Sequence, residues 1–262
     1  MFQYEFKLAL RNKLIIVCII IGILSGVPGL FSYYSDSIFM VDANQSSAVS
    51  FYQAFLYTLS FGSGTLFKIV APLLIIPNLD SFFMDRKSGY SNFVITRSNY
   101  WQYFFSKLFS GALVAGTILV SILVFLLALC AVIFPHNMPI ESYTYISDNA
   151  IRHFFVANPL KYIIIIILLN FLFATIFFSL GFGLSYFCKS RYIVMIIPFL
   201  LYLAFSMLAS ILSIPILSPV SLLVPYEIIG LSCTNIIAQY IALICLSISI
   251  VVYTFFRSQS EV

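Results

Sequence analysis

From Tyr162 to Phe187 the sequence reads YIIIIILLNFLFATIFFSLGFGLSYF, without one charged residue. About 20 apolar residues are what an α-helix needs to cross the ~30 Å hydrocarbon layer of a bilayer. Comparable runs fall at 14–31, within 55–83 (placed at 60–83), at 108–134, at 192–214 and at 236–256. With the run at 160–187 they predict six spans. The runs are continuous rather than alternating, which predicts helices and not a β-barrel. Only 8% of the residues are charged, against roughly 25% in soluble domains. No water-soluble fold hides that much apolar surface, so lipid is the solvent. The expected fold is an all-α integral membrane protein, one membrane domain over 1–262.

The basic residues set the orientation, because cytoplasmic loops carry the excess of Lys and Arg. Lys7, Arg11 and Lys13 precede the first span; Arg86, Lys87, Arg97 and Lys107 lie between the second and third; Lys189 and Arg191 lie between the fourth and fifth; Arg257 follows the sixth. The other side has Arg152 and Lys161, with the acids Asp36, Asp42, Glu141, Asp148 and Glu227. Both termini are therefore expected in the cytoplasm, which an even number of spans satisfies.

No A-x-A-like cleavage site follows the first apolar run, so it reads as a retained anchor. Ahead of it, MFQYEFKLALRNK reads as an amphipathic helix. Phe2, Phe6, Ala9 and Leu10 share one face, Lys7 and Arg11 project opposite, and Leu8 breaks the pattern. Such a helix lies flat in the inner headgroup layer. The five cysteines are scattered without metal spacing and read as small buried hydrophobes.

The outer loop at 33–53 holds an Asn44-Gln45-Ser46 sequon, which matters only in a glycosylating pathway. The loop at 136–158 holds His136 and His153 without acidic or thiol partners at ligand spacing, an ordinary loop pattern. A third outer segment, Ser213 to Asn235, is apolar but broken by Pro215, Pro219 and Pro225. Irregular backbone is not tolerated facing lipid, so this segment is expected to form short helices that dip in and return, shielded by the bundle.

As one helix, 55–83 would be about 43 Å long at ~1.5 Å per residue. Either its outer part protrudes or it breaks near Gly62-Ser63-Gly64, with Pro72 and Pro77 allowing kinks. Lys68 falls about 24 Å above the inner boundary. There it either snorkels to the outer headgroups, the less costly arrangement, or lines a polar translocation path. Asp80 is expected to pair locally with Asp85 and Arg86.

The stretch DRKSGYSNFVITRSNYWQYFFSKL (Asp85 to Leu108) concentrates bases, serines and a glycine in a chain poor in polar residues. Gly89 can end a helix in a left-handed conformation. Tyr90, Phe93, Val94 and Arg97 then share one face of a short surface helix. Ser98 or Asn99 can cap the next helix. Tyr100, Trp101, Tyr103, Phe104 and Phe105 read as an aromatic belt at the inner interface. A surface helix projecting aromatics and a cation suits docking into a groove of a cytosolic partner. A basic loop that only fixes topology fits the residues equally well.

The order of these features resembles the permease subunits of ABC-2-type ATP-binding-cassette exporters, of the small bacterial kind, over nearly the whole chain. The most specific part is PNLDSFFMDRKSGYSNFVITR (Pro77–Arg97), which is similar to an F-x-x-D-R-x-x-G-x-x-x-x-x-x-x-R pattern near the second span of such proteins. The resemblance implies a coupling helix between the second and third spans, seated in a cleft of the ATPase, and broken re-entrant helices between the fifth and sixth. It implies that Asp85, Arg86, Lys87, Gly89, Tyr90, Phe93 and Arg97 form the ATPase contact.

No G-x-x-x-x-G-K-[ST] and no H-E-x-x-H occurs, and no histidine lies in a span to serve a serine nucleophile at Gly62-Ser63-Gly64. Charged pairs for a proton relay are not legible in the spans, nor is a filter-like carbonyl ring. The expectation is a permease subunit with no ATPase site of its own and no cofactor. ATP and Mg would be bound by two copies of a cytosolic ATPase subunit. A second permease, identical or related, would complete a dimer, with membrane lipids and no nucleic acid as its other contacts. Its cargo would be an amphipathic peptide, antibiotic or lipid-like molecule moved outward across a bacterial plasma membrane. The alternative is a non-transporting scaffold or sensor that recruits a cytosolic partner.

Overall fold

The computed structural model describes residues 1–42, 49–60, 65–95, 99–140, 146, 149–214, 218–227 and 233–259. Among them every regular element is helical: α1 (Phe2–Leu10), α2 (Leu14–Asp42), α3 (Phe51–Ser60), α4 (Thr65–Val70), α5 (Ser81–Lys87), α6 (Tyr90–Ile95), α7 (Tyr100–Ile133), α8 (Asn149–Ala157), α9 (Pro159–Leu184), α10 (Arg191–Ile211), α11 (Val220–Leu223) and α12 (Cys233–Gln259). Two 3₁₀ turns, Ala71–Ile75 and Ser185–Phe187, follow α4 and α9. Helices α2, α7, α9, α10 and α12 are each long and apolar enough to cross a membrane. The chain is a multi-pass membrane protein.

The second predicted span is not one helix. Helix α3 and the piece Thr65–Ile75 are inclined at 55°, and only together do they reach spanning length. The glycines proposed as the break, 62–64, lie outside the described residues. A further break was not expected to be so complete. Pro72 has no N–H to donate and sits in the 3₁₀ turn. Pro77 follows, and Asn78 then takes the left-handed backbone (φ 70°) that asparagine tolerates better than most residues. Phe83, expected at the end of the span, therefore belongs to the separate helix α5.

Helix α7 is the centre of the bundle, packed by α9, α1, α2 and α3, while α9 in turn carries α12, α10, α11 and α8. Association of helices in lipid depends on close packing, because lipid tails are as apolar as the side chains. The α7–α9 seam shows this at Gly111, where a Cβ would sit 2.2 Å from the Phe178 ring. The predicted aromatic belt turns partly inward. Tyr103 and Phe104 are fully buried, and the Phe104 ring meets Phe82, Phe182 and Phe255 at 5.5, 5.3 and 5.4 Å. Trp101 stays exposed and stacks on Phe105 at 4.2 Å. Asn99 sits at the N-cap of α7 with extended backbone, but makes no capping hydrogen bond through its side chain.

Buried side chains tie the segment around α11 to the bundle. Buried Asn170 of α9 donates to the carbonyls of Ile166 and Leu223 at 2.9 and 3.1 Å. Tyr226 donates to Leu56 O at 2.8 Å, and Tyr240 to Leu169 O at 2.8 Å. The proline-punctuated segment thus contains one short described helix, α11, with Ser221, Leu222 and Leu223 buried; Pro215 and 228–232 lie outside the described residues. One element departs from expectation. The loop at 136–158 contains helix α8, whose Phe155 is fully buried on Tyr162, and His136 packs on Phe51 with ring centroids 4.9 Å apart. The N-terminal segment is helical, as expected. Helix α1 packs on α7 with Glu5 and Ala9 buried, while Phe2 and Leu10 are exposed.

Replacing Gly111 with valine should overpack the α7–α9 seam by about 1–3 kcal/mol. Thermal unfolding in detergent, read by Trp101 fluorescence, is expected to show a lower midpoint. Adding Phe178→Ala should return part of the loss, so that the double variant is less destabilised than the two single effects summed.

Candidate functional site

The residues predicted to contact a partner lie on α5, the turn after it, and α6. Helix α5 ends at Lys87; Ser88 N–H donates to Met84 O at 2.9 Å and Gly89 N–H to Arg86 O at 3.3 Å. Gly89 has φ +74°, as the sequence predicted, and nothing lies within 4 Å of where its Cβ would be. Its backbone angle, not space, asks for glycine here. The chain reverses into α6 immediately afterwards. Arg97 lies outside the described residues.

The predicted contact residues divide into two groups. Asp85 and Arg86 each bond to the bundle, Asp85 from a half-buried position and Arg86 from an exposed one. Asp85 pairs with Lys107 and accepts a hydrogen bond from Tyr103 Oη at 2.7 Å, both partners being on α7. Arg86 donates to Tyr186 O at 3.2 Å, and its guanidinium lies 4.5 Å from the centre of the Tyr186 ring. Lys87, Tyr90 and Phe93 face outward, Phe93 with 73% of its surface exposed. Asp80 does not pair with its sequence neighbours. It accepts from Arg191 Nε at 2.5 Å, at the start of α10. A carboxylate with a distant guanidinium in bonding geometry has no need of the adjacent Arg86, whose donors are directed at Tyr186.

Three ties therefore join α5 to three long segments: Asp85 to α7, Arg86 to the end of α9, and Asp80 to α10. A fourth joins its approach to α1. Asn78 donates to Ala9 O at 3.2 Å and accepts from Asn12 Nδ2 at 3.0 Å, while Asn12 Oδ1 receives the Leu14 N–H at 3.0 Å. Tyr100 and Ser258 also hydrogen-bond at this end of the bundle, bringing α12 into the same cluster.

Glu5 is the unexpected member. It is 3% exposed on α1 and shares a small cavity with Lys107, Asn78 and Gly111. Burial pushes its carboxyl above the ordinary value; Lys107 and the N-terminal ammonium oppose this, and Asp85 adds to it. Tyr90 is likewise pushed up, by burial first and then by the Tyr4 phenol and the carboxylates of Glu5 and Asp85. These influences place α1 beside α6. The sequence pattern of α1 carried no signal for this, because the cation that Glu5 faces is a hundred residues away.

Lys68 forms an ion pair. Its ammonium donates to both oxygens of Glu227, at 2.6 and 2.9 Å, and its side chain is only 12% exposed. Glu227 read as one more loop acid. The available signal was a lone lysine in one apolar run and a lone glutamate in another. The pair ties α4 to the segment after α11, across 159 positions.

Lys107→Met should leave Asp85 and Glu5 without their cation, and loss of one partner of a buried pair costs about 3–5 kcal/mol. The unfolding midpoint should fall sharply, and Lys107→Arg should keep more of it. A carboxyl whose folded pKa is raised contributes stability below its ordinary range and loses it as the pH rises through the raised value. Glu5→Gln should therefore leave melting nearly unchanged at acid pH and raise the midpoint relative to the parent at neutral pH, with the gap widening between the two. A constant gap across that range would show that Glu5 does not titrate there.

No family model matches the chain, and no curated protein or solved structure matches it.

Proposed function

We propose that the chain is the membrane-spanning permease subunit of an ATP-driven exporter of the ABC-2 type. The observation that carries this reading is the α5–Gly89–α6 unit. A short helix with exposed Tyr90 and Phe93 is set off by a left-handed glycine, and the helix before it is bonded to α7, α9 and α10. An element that merely fixed topology would have no use for so many separate ties.

In this reading α6 seats in a cleft of a cytosolic ATPase subunit, one of two that bind ATP and Mg. Tyr90, Phe93 and Lys87 make the contact, with Arg97 beyond them. Asp85, Arg86 and Gly89 act behind it. Asp85 and Arg86 pass the displacement of α6 to the bundle through Lys107, Tyr103 and Tyr186, and Gly89 holds the angle between the two short helices. The chain performs no hydrolysis itself.

The bases Arg86, Lys87, Lys107, Lys189 and Arg191 share one end of the bundle with α1, α5 and α6, which supports a cytoplasmic assignment for that end and for both termini. The α3–α4 pair then serves as the second of six spans, and the α11 segment as a re-entrant element on the outer side, its irregular backbone sheltered by Asn170 and Tyr240. A second permease would complete the pathway in a bacterial plasma membrane. The cargo is an amphipathic peptide, antibiotic or lipid-like molecule.

Purification of the chain from its native membrane should recover an ATPase with Walker motifs, identified by mass spectrometry. Phe93→Glu, and separately Arg97→Glu, should reduce recovery at least tenfold, with Phe93→Leu close to the parent. Gly89→Pro, which forces φ to about −65°, should uncouple ATP hydrolysis from transport. Undiminished recovery with both charge variants would overturn the docking assignment, and recovery of a partner without Walker motifs would favour a scaffold.

A further inference from the structure

The turn that ends α9 gathers cations and rings from three elements. Arg86 of α5 lies over the Tyr186 ring, 4.5 Å from its centre, and donates to Tyr186 O at 3.2 Å. Among the described residues this is the one hydrogen bond of its guanidinium, which carries several more N–H donors. Lys189 follows just beyond the carbonyl that holds Arg86, and both bases are exposed. Neither pairs with a carboxylate among the described residues. The acids of α5 and its N-cap are directed elsewhere, Asp80 to Arg191 and Asp85 to Lys107. Next to Tyr186, the ring of Phe187 stacks on Tyr253 of α12 with centroids 5.9 Å apart. These two rings are 48% and 54% exposed. Arg257, one turn further along α12, donates to Tyr253 Oη at 3.0 Å.

The spans fix the depth of this patch. Helix α9 ends at Leu184, α10 begins at Arg191 and α12 ends at Gln259. The patch therefore lies where three apolar helices leave the hydrocarbon layer. We propose that it binds an anionic phospholipid, the phosphate between Arg86 and Lys189 and the upper acyl chain against Phe187 and Tyr253. Basic sites between spanning helices suit such headgroups, and aromatic rings favour the same depth. Arg86 is the anchor: the Tyr186 ring and carbonyl hold its planar fork in place, so little freedom is lost when it meets a phosphate. A zwitterionic headgroup brings its own cation to the same two bases, and is disfavoured. A free phosphate ion matches the bases but leaves the rings uncovered. The site requires only that the chain is a multi-pass membrane protein, and so stands apart from the exporter reading. Occupied, it would restrain the tie between α5 and the end of α9.

The test uses the full chain in phosphatidylcholine nanodiscs, without an ATPase. A trace of phosphatidylglycerol or of phosphatidylcholine is added, each carrying the same photoactivatable acyl chain, and crosslinked peptides are mapped by mass spectrometry. The glycerol probe should label the segments 184–192 and 250–259 at least fivefold more than the choline probe, while the two label α2 equally. Lys189→Gln changes an exposed side chain, and should reduce that preference at least twofold. Arg86→Gln together with Lys189→Gln should abolish it, with α2 labelled as in the parent to show that the bundle is intact. Lys189→Arg should keep the preference within about twofold of the parent. Equal labelling of the two segments by both headgroups would overturn the proposal and leave only general lipid contact. So would a preference that survives the double variant. Loss of the preference when excess inorganic phosphate is added would overturn the lipid assignment in favour of a free anion. None of these outcomes bears on recovery of an ATPase, which tests the exporter reading separately.

Discussion

Inside hydrocarbon a peptide group has no water to bond with, so each N–H and C=O must find a partner in the protein itself. The long helices α2, α7, α9, α10 and α12 meet this requirement along their own length. The remaining architecture is shaped by the places where they do not. At 71–78, two prolines and a left-handed asparagine interrupt the chain; around α11, Asn170 and Tyr240 bring hydrogen-bonding groups to carbonyls that a helix would have used. These repairs fix where the broken segments lie against α9 and α12. A loop held in this way is as much a part of the packing as a helix.

Polar ties also do what apolar contact cannot do in lipid, which is to specify register. A phenylalanine face slides against another with little change in energy; a carboxylate facing one guanidinium does not. The ion pairs of Asp80, Asp85 and Glu227 each join segments far apart in sequence. Their net contribution to stability is modest once desolvation is counted, and their value lies in selecting one arrangement among many of similar apolar area. Two of these pairs, with the Arg86–Tyr186 hydrogen bond, meet at α5, which makes this short helix a mechanical junction out of proportion to its length.

Five of the spans, the left-handed Gly89 and the short helix after it were legible because each depends on local chemistry: apolar length, a residue without a Cβ, and spacing along one face. The breaks at Pro72 and Pro77 were legible as kinks, but not their sum, since the left-handed turn at Asn78 depends on bonds to α1. The partners of Asp80, Lys68 and Glu5 were not legible at all. Local reading assigns a charge to its nearest opposite neighbour, whereas in a bundle the nearest charge lies on another helix. Helix α8 was hidden for a different reason: it is only nine residues long, too short to read as a span, and its Phe155 is buried on Tyr162 of α9. For the candidate site, the surface residues Tyr90 and Phe93 were readable from periodicity, while the bonds of Asp85 and Arg86 to the bundle required coordinates.

Asn78 uses both ends of one amide to clasp the first helix and the turn after it, at the corner from which α5 departs. The N-terminal segment therefore has no position of its own. Whatever tilts α5 pulls on the first helix through these bonds. The protein thus possesses a mechanical link between its N-terminal helix and the element on which its proposed motor would pull.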